Sequence, residues 1–147
     1  MQYEELTVGR VIDCGGREVT ADEIVEFARR YDPQPFHVDA DSAEARRWGG
    51  LIASGWMTCS IAMELIARQV LQGSRSVGSP GVDELRWEGP VRPGDTLRVR
   101  LTVLEQRISS NGKYGVVRWR WDVHNQHQAR VLHLTAISLF DITQAAS

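Results

Sequence analysis

The stretch WMTCSIAMELIARQVLQ, residues Trp56–Gln72, decides the fold. Its apolar residues lie almost all the way round a helical wheel, and its strongly polar residues are Glu64, Arg68, Gln69 and Gln72. A helix that is apolar on most faces is a buried helix. At a rise of 1.5 Å per residue it would be about 25 Å long, enough to cross a small domain. The stretch therefore predicts a long central helix.

The second half of the chain predicts the strands that would cover this helix. Apolar and polar residues alternate along two stretches, which is typical of strands with one buried face. In all, strands are predicted at 10–19 (broken by Gly15-Gly16), 82–87, 96–106, 114–124 and 129–142. Long antiparallel strands with one buried helix favour an α+β fold, in which a curved sheet wraps around the helix.

Two shorter helices are predicted in the first half of the chain. Thr20 followed by Glu23 has the spacing of a capping box, which predicts a helix that runs to about Tyr31. Two prolines follow it, and they forbid its continuation. A short helix is predicted within Asp39–Trp48, beginning near Asp39 or Asp41.

Composition restricts the class of protein. The 147 residues are 42% hydrophobic and 24% charged, as expected for a single globular domain over residues 1–147. The net charge of −2 provides no bulk attraction for nucleic acid or an anionic membrane. The first ten residues lack the pattern of a secretory signal, and Cys14 and Cys59 lack metal-binding spacing. We expect a cytoplasmic protein with two buried thiols, no nucleic-acid partner and no membrane partner.

The stretch YDPQPFHVD, Tyr31–Asp39, is the strongest local signal for chemistry. Its prolines predict a stiff, non-helical segment with Asp32 near one end and His37 near the other. A carboxylate and an imidazole that face one gap can hold a water, since both can exchange protons with it. Alternatively, Asp32 caps a turn and His37 is an ordinary hydrogen-bonded loop residue.

The stretch GGLIASGWMT, Gly49–Thr58, leads into the central helix. Ser54 is a candidate N-cap, and Gly55 then lies in the first helical turn. Backbone N–H groups at that position have no acceptor within the helix, so they can hold an oxyanion. Glycine also lets a ligand approach the backbone closely. The alternative is a simple capped helix start.

Together these segments resemble the MaoC-like family of hot-dog-fold acyl dehydratases, which includes the (R)-specific enoyl-CoA hydratases. The family motif Asp-any-Asn-Pro-any-His matches Asp32–His37, and its Ile-Ala-(His or Ser)-Gly motif matches Ile52–Gly55. The block Gly78–Leu97 is similar to the family's strand pair with its Pro-Gly-Asp turn. The resemblance spans about residues 5–142 and implies a single hot-dog domain.

The resemblance also implies an activity, the addition of water across the 2,3 double bond of a trans-2-enoyl thioester. Asp32 and His37 would hold the water that adds to C3 and would return a proton to C2, while the Gly55 N–H would bind the thioester oxygen. The residues expected to bind substrate are Ser54, Phe36, Trp56 and Gln34. No metal or redox cofactor is expected, and coenzyme A would enter as part of the substrate.

Three positions depart from the family pattern around the predicted aspartate. Gln34 stands where Asn is commoner, and Met57 stands where one branch of the family has His. Met63 lies near the place where some hydratases carry a Ser that touches the catalytic Asp. We therefore expect the surroundings of Asp32 to differ from those in these relatives.

Two other activities fit a hot-dog fold. A thioesterase needs a carboxylate to activate water, and Glu64 on the central helix is the candidate, unless it only pairs with Arg68 at the protein surface. A non-catalytic subunit would bind acyl thioesters or support a partner chain.

Further expectations concern assembly and the ends of the substrate. The open edges of a single curved sheet favour a homodimer. Bulky residues expected to limit the acyl chain length are Phe36, Trp56 and Trp87. Candidates to bind coenzyme A phosphates are Arg46, Arg47, Arg86 and Arg92.

Overall fold

The computed structural model of the protein describes residues 1–143, in which a five-stranded sheet covers one long helix. The helices are α1 (Ala21–Tyr31), α2 (Pro35–Val38), α3 (Ala43–Arg47) and α4 (Gly55–Ile66). The strands are β1 (Val11–Glu18), β2 (Ser76–Trp87), β3 (Thr96–Ile108), β4 (Tyr114–His124) and β5 (Arg130–Asp141). A 3-10 turn, Tyr3–Glu5, precedes β1, and a π-helical turn, Ala67–Leu71, continues α4.

The sheet is antiparallel throughout, with strand order β1-β3-β4-β5-β2. The predicted break at Gly15-Gly16 is wrong, because β1 continues through it as one strand with a bulge between Asp13 and Gly16. Gly16 is needed there, since a Cβ would lie 2.7 Å from the carbonyl oxygen of Leu97 on β3. The bulge therefore preserves pairing with β3 on both sides.

The core lies between α4 and the concave face of the sheet. The alternation predicted for β3 and β4 is confirmed, because the apolar set on each strand is buried: Leu97, Val99, Leu101 and Val103 on β3, and Val117, Trp119, Trp121 and Val123 on β4. From α4, the buried contribution comes from Met57, Ile61, Ala62 and Ile66. This is the predicted α+β hot-dog fold, with a central helix wrapped by a curved antiparallel sheet.

The sequence predicts that helix α4 is buried on most faces, but one side of it is partly exposed. Trp56 is 56% exposed and Met63 is 37% exposed, whereas Ile61 is 3% exposed. The sheet covers only one side of the helix, so apolar residues on the other side face outward in the single chain. Among residues 1–143, no helix combines the length and the apolar character that crossing a membrane would need.

The start of each of the other helices is set by its N-terminal residues. The predicted capping box of α1 is confirmed, with Thr20 and Glu23 exchanging backbone-to-side-chain hydrogen bonds of 3.2 Å and 3.0 Å. The prediction of a non-helical segment from Asp32 to His37 is wrong for its second half, because Pro35 occupies the first turn of α2, where its missing N–H costs nothing. Helix α3 lies within the predicted range with Asp41 near its start, and Ser42 is its N-cap, since the Ser42 hydroxyl accepts from the Ala45 N–H at 3.0 Å.

The two cysteines are both free thiols. Cys14 is buried as expected, and burial, followed by the negative charge of Asp13, raises its pKa to about 11. Cys59 is only partly buried, because it lies on a side of α4 that the sheet does not fully cover.

The one-sided burial of α4 predicts unequal costs for two truncations on the same helix. Ile61→Ala is expected to lower the free energy of unfolding by about 2–5 kcal/mol, because it leaves a cavity in the core. Met63→Ala is expected to change it by less than about 0.5 kcal/mol, since the side chain is partly in solvent. Urea unfolding of both variants measures the difference, and equal losses would contradict this burial of α4.

Candidate active site

Two segments that are separate in sequence meet at the start of α4. Asp32 caps the end of α1, where its N–H donates to the Ala28 carbonyl at 2.8 Å, and His37 lies on the single turn of α2. The His37 Nδ1 bonds to the Ile52 carbonyl at 2.7 Å, and the Ile52 N–H donates to the Phe36 carbonyl at 3.1 Å. These two bonds attach the proline-rich segment to the residues that lead into α4.

The buried bond to Ile52 sets the tautomer of His37. A carbonyl oxygen can only accept, so the proton of a neutral His37 ring lies on Nδ1. The other nitrogen, Nε2, then faces the Asp32 carboxylate, with 3.2 Å between Nε2 and Oδ2. This nitrogen can take up or release a proton beside a carboxylate, which is the arrangement that general acid–base chemistry needs.

Both oxygens of Asp32 accept hydrogen bonds from neighbouring side chains. Gln34 Nε2 donates to Oδ1 at 2.6 Å, and Ser54 Oγ donates to Oδ2 at 2.7 Å. Partial burial raises the pKa of Asp32, but the bonds from Gln34 and Ser54 and the neighbouring His37 together bring it below its ordinary value. Asp32 is therefore a carboxylate at neutral pH.

The hydroxyl beside Asp32 comes from a different position than the family pattern suggests. Met63, near the position of that family Ser, has no hydroxyl to donate, and it is partly exposed on α4. Ser54 is that donor, and it is fully buried at the helix start. Sequence reasoning identified Ser54 as a cap and a substrate-binding residue, but not as a partner of Asp32.

The start of α4 provides a backbone donor. The Ser54 hydroxyl accepts from the Trp56 N–H at 3.3 Å, which confirms it as the N-cap. Gly55 follows as the first helical residue, and its N–H has no hydrogen-bond partner within residues 1–143. A Cβ at Gly55 would clash with the indole ring of Trp87. Only glycine therefore lets the indole pack this closely against the backbone at position 55.

A cavity of about 310 Å³ joins the two halves of the site. His37 and Gly55 both line it, together with Ile52, Thr58 and Trp87. The histidine held against Asp32 and the unpaired N–H of the helix start therefore share one cavity, and Asp32 itself does not line it.

Of the other predicted binding residues, Phe36 and Trp56 contact residues that line this cavity, whereas Gln34 contacts Asp32, which does not line it. Gln34 bonds to Asp32, and Phe36 packs edge-on against His37 with ring centroids 4.4 Å apart. Trp56 packs in the same way against Trp87 at 5.0 Å. Among the described residues, the ones that line the cavity do not include Gln34, Phe36 or Trp56.

Most residues of the cavity wall were not predicted as binding residues, and Trp48, Thr58 and Glu88 are among them. Thr58 follows Ser54 by one helical turn, so the helical period could have identified it. Trp48 and Glu88 come from a helix end and a strand end that meet only in the folded chain, and no local pattern signals them.

Glu64, the candidate for thioesterase chemistry, lines a different cavity of about 270 Å³. Its carboxylate pairs with Arg17 at 3.2 Å and with Arg68 at 3.8 Å. The predicted pair with Arg68 is confirmed, and the closer pair with Arg17 links α4 to β1. Neither His37 nor Gly55 lines this second cavity.

The chain was compared with known proteins. The model of the MaoC-like domain family matches residues 5–124. A MaoC-like dehydratase from Rhodospirillum rubrum has a similar structure, with a TM-score of 0.87, 36% identity and coverage of 97% of each chain. The R-hydratase PhaJ1 from Pseudomonas aeruginosa has a TM-score of 0.75 and 26% identity, over 99% of this chain and 92% of that chain. The uncharacterized protein YdeM of Bacillus subtilis is 30% identical over 89% of this chain and 92% of its own length.

The close approach of Trp87 to Gly55 predicts a coupling between these two residues. Gly55→Ala is expected to cost about 1–3 kcal/mol of stability, because the added methyl overpacks against the indole. The same substitution in a Trp87→Ala background is expected to cost less, since the ring is gone. Urea unfolding of the two single variants and the double variant measures the coupling, and equal costs in both backgrounds would exclude the contact.

Proposed function

The chain belongs to the MaoC-like family, and we propose from this premise that it is a hydratase or dehydratase of acyl thioesters. In the hydration direction it adds water across the 2,3 double bond of a trans-2-enoyl thioester, with coenzyme A as the expected carrier. The observation that carries the proposal is the single cavity shared by His37, which is paired with Asp32, and the free N–H of Gly55. Structural similarity to an R-hydratase supports it.

The proposed mechanism assigns each group a step. A water that is hydrogen-bonded to both the Asp32 carboxylate and His37 Nε2 gives a proton to this pair as its oxygen adds to C3. Negative charge then develops on the thioester oxygen, where the Gly55 N–H and the positive end of the α4 dipole stabilise it. The pair returns a proton to C2, so one water is consumed and a 3-hydroxyacyl thioester forms. Dehydration follows the same steps in reverse.

The geometry favours this reaction over thioester hydrolysis. A thioesterase that used Glu64 would need that carboxylate beside the thioester, but ion pairs with Arg17 and Arg68 occupy it in another cavity. Thioester hydrolysis and a purely binding role are therefore the outcomes that the activity test has to separate from hydration.

We further propose a cytoplasmic homodimer formed by a single domain over residues 1–147, with no cofactor other than the coenzyme A portion of the substrate. The edge of the sheet supports the dimer. Within residues 1–143, strand β2 pairs only with β5, and it exposes Val77 and Val82 along an edge that another strand can pair with. Small-molecule thioesters, and neither nucleic acid nor membranes, are the proposed ligands.

Loss of either member of the proton-transfer pair is expected to abolish hydration. The absorbance of the conjugated double bond is followed with trans-2-enoyl-CoA substrates of increasing chain length. Asp32→Asn and His37→Ala are expected to lower kcat/KM by about 10²–10⁴-fold, because each removes a proton-transfer group. Glu64→Ala is the matched control and is expected to retain activity.

A second readout separates the competing activities. Hydration consumes the double bond and releases no thiol, whereas hydrolysis releases free coenzyme A, which a thiol reagent detects. Thiol release that depends on Glu64 and not on Asp32 would establish the thioesterase. Acyl-CoA binding without turnover of any chain length would establish the non-catalytic subunit.

The hydrogen bond from Ser54 predicts a pH effect. Because this bond lowers the pKa of Asp32, Ser54→Ala is expected to raise that pKa, and the carboxylate will then be protonated at a higher pH. The acidic limb of the kcat/KM profile should therefore move to higher pH. Ser60→Ala is the control, since the Ser60 hydroxyl lies on the same helix and donates to the Trp56 carbonyl. An unmoved acidic limb in Ser54→Ala would show that this bond does not tune the catalytic carboxylate.

A further inference from the structure

A second cavity of about 340 Å³ adjoins the active-site cavity. The two share the wall formed by Glu88, Gly89 and Pro90. Arg92 and Arg130 line the second cavity but not the first. Two guanidinium groups therefore lie in the cavity next to the one that His37 and Gly55 line, and the side chains of Glu88 and Asp95 line the same cavity.

Arg92 is held rigidly relative to the active site. Its backbone N–H donates to the Asp95 carboxylate at 2.9 Å, and the preceding carbonyl, of Val91, accepts from the Ala53 N–H at 2.8 Å. Ala53 is two residues before Gly55. The backbone of Arg92 is thus attached to the segment that carries the unpaired N–H of the helix start.

The side chain of Arg92 is fixed as well. Its Nη2 donates to the Trp48 carbonyl, and the same atom lies 3.6 Å from where a Cβ of Gly49 would be. Gly49 and Gly50 both have positive φ angles and no side chains, so the backbone next to the guanidinium is open to a ligand.

The Arg92 guanidinium is not paired with a carboxylate among the described residues, although the Asp95 carboxylate in the same cavity accepts the Arg92 backbone N–H. Within residues 1–143 the guanidinium forms no ion pair, and its one side-chain acceptor is the uncharged carbonyl of Trp48. Arg130 in the same cavity is different, because it pairs with Glu88 at 2.7 Å and with Asp122 at 3.0 Å. An anion that enters this cavity therefore meets Arg92 as an available donor.

We propose that Arg92 binds the phosphate at the far end of the substrate's pantetheine arm while the thioester lies in the active-site cavity. The proposal rests on the proposed function, which places a thioester against His37 and Gly55. An acyl thioester on coenzyme A or on a carrier protein ends its pantetheine arm in a phosphate ester, so the two carriers present the same chemistry. A guanidinium has five N–H donors in a planar fork, and that geometry suits phosphate oxygens.

This assignment distinguishes among the four arginines that the sequence offers as phosphate ligands. Arg46 and Arg47 lie exposed on α3, and Arg86 donates to the Leu85 carbonyl on β2. None of these three lines either cavity, whereas Arg92 does.

The test uses one trans-2-enoyl group on three carriers: coenzyme A, a phosphopantetheinylated acyl carrier protein, and pantetheine, which lacks the phosphate. Arg92→Gln is expected to lower kcat/KM for the coenzyme A thioester about tenfold through KM, the loss of one hydrogen bond to a charged group. Activity on the pantetheine thioester is expected to be unchanged, and Arg92→Lys is expected to recover part of the loss. Arg86→Gln is the matched control, because it removes the same charge outside both cavities.

Several outcomes would overturn the proposal. An equal loss on the pantetheine thioester would make Arg92 a structural residue. An equal loss in Arg86→Gln would indicate general charge attraction, and no loss in Arg92→Gln would exclude the contact. The carrier on which the Arg92 effect appears, coenzyme A or the carrier protein, identifies the source of the phosphate.

Calorimetric binding of free coenzyme A separates this proposal from the proposed function. Wild type is expected to bind it about tenfold more tightly than Arg92→Gln, whereas pantetheine should bind equally to both. If the chain hydrates no thioester but shows this difference, the proposed function fails and the phosphate site stands. If hydration occurs and the difference is absent in both binding and KM, the phosphate site fails alone.

Discussion

The hydrogen bond between His37 Nδ1 and the Ile52 carbonyl is the interaction on which the rest of the site depends. It joins two segments that are 15 residues apart in sequence, and it is buried. Breaking it would leave a buried polar group without a partner, which is costly. The same bond places the ring proton on Nδ1, so that Nε2 is the nitrogen left to work beside Asp32. One contact therefore both attaches the proline-rich segment to the core and sets the chemistry of the histidine.

Ser54 links the stability of the fold to the charge of the site in a similar way. Its hydroxyl accepts from the Trp56 N–H, which caps α4, and donates to Asp32. A fully buried hydroxyl needs both partners, because neither can be replaced by water. The capped helix then presents the N–H of Gly55 next to the supported carboxylate. The helix that fills the core is in this way also the element that assembles the candidate site.

Much of this fold could be predicted from local sequence patterns. Two predicted features depend only on residues that are close in sequence. They are the alternation of apolar and polar residues along β3 and β4 and the capping box of α1, and both are confirmed. The exposed side of α4 could not be predicted, because a helical wheel does not show which side a sheet will cover. The bond between Ser54 and Asp32 was missed for a related reason, since it joins residues 22 positions apart. Contacts of this kind follow from the packing of α1 against the start of α4.

The aromatic wall of the cavity connects the site to the free edge of the sheet. Trp87 ends β2, the edge strand, and it packs against both Gly55 and Trp56. Trp87 lines the cavity and Trp56 packs against it, and each is about half exposed in the single chain, so solvent reaches this side of the cavity. A second copy paired along β2, in the proposed homodimer, would lie beside these rings and reduce their contact with water. Excluding water there would strengthen the interaction of the Gly55 N–H with a charged thioester oxygen, because electrostatic interactions grow as the local dielectric falls. Pairing along the sheet edge would then form the dimer and, because it excludes water, would also stabilise the charge on the thioester oxygen.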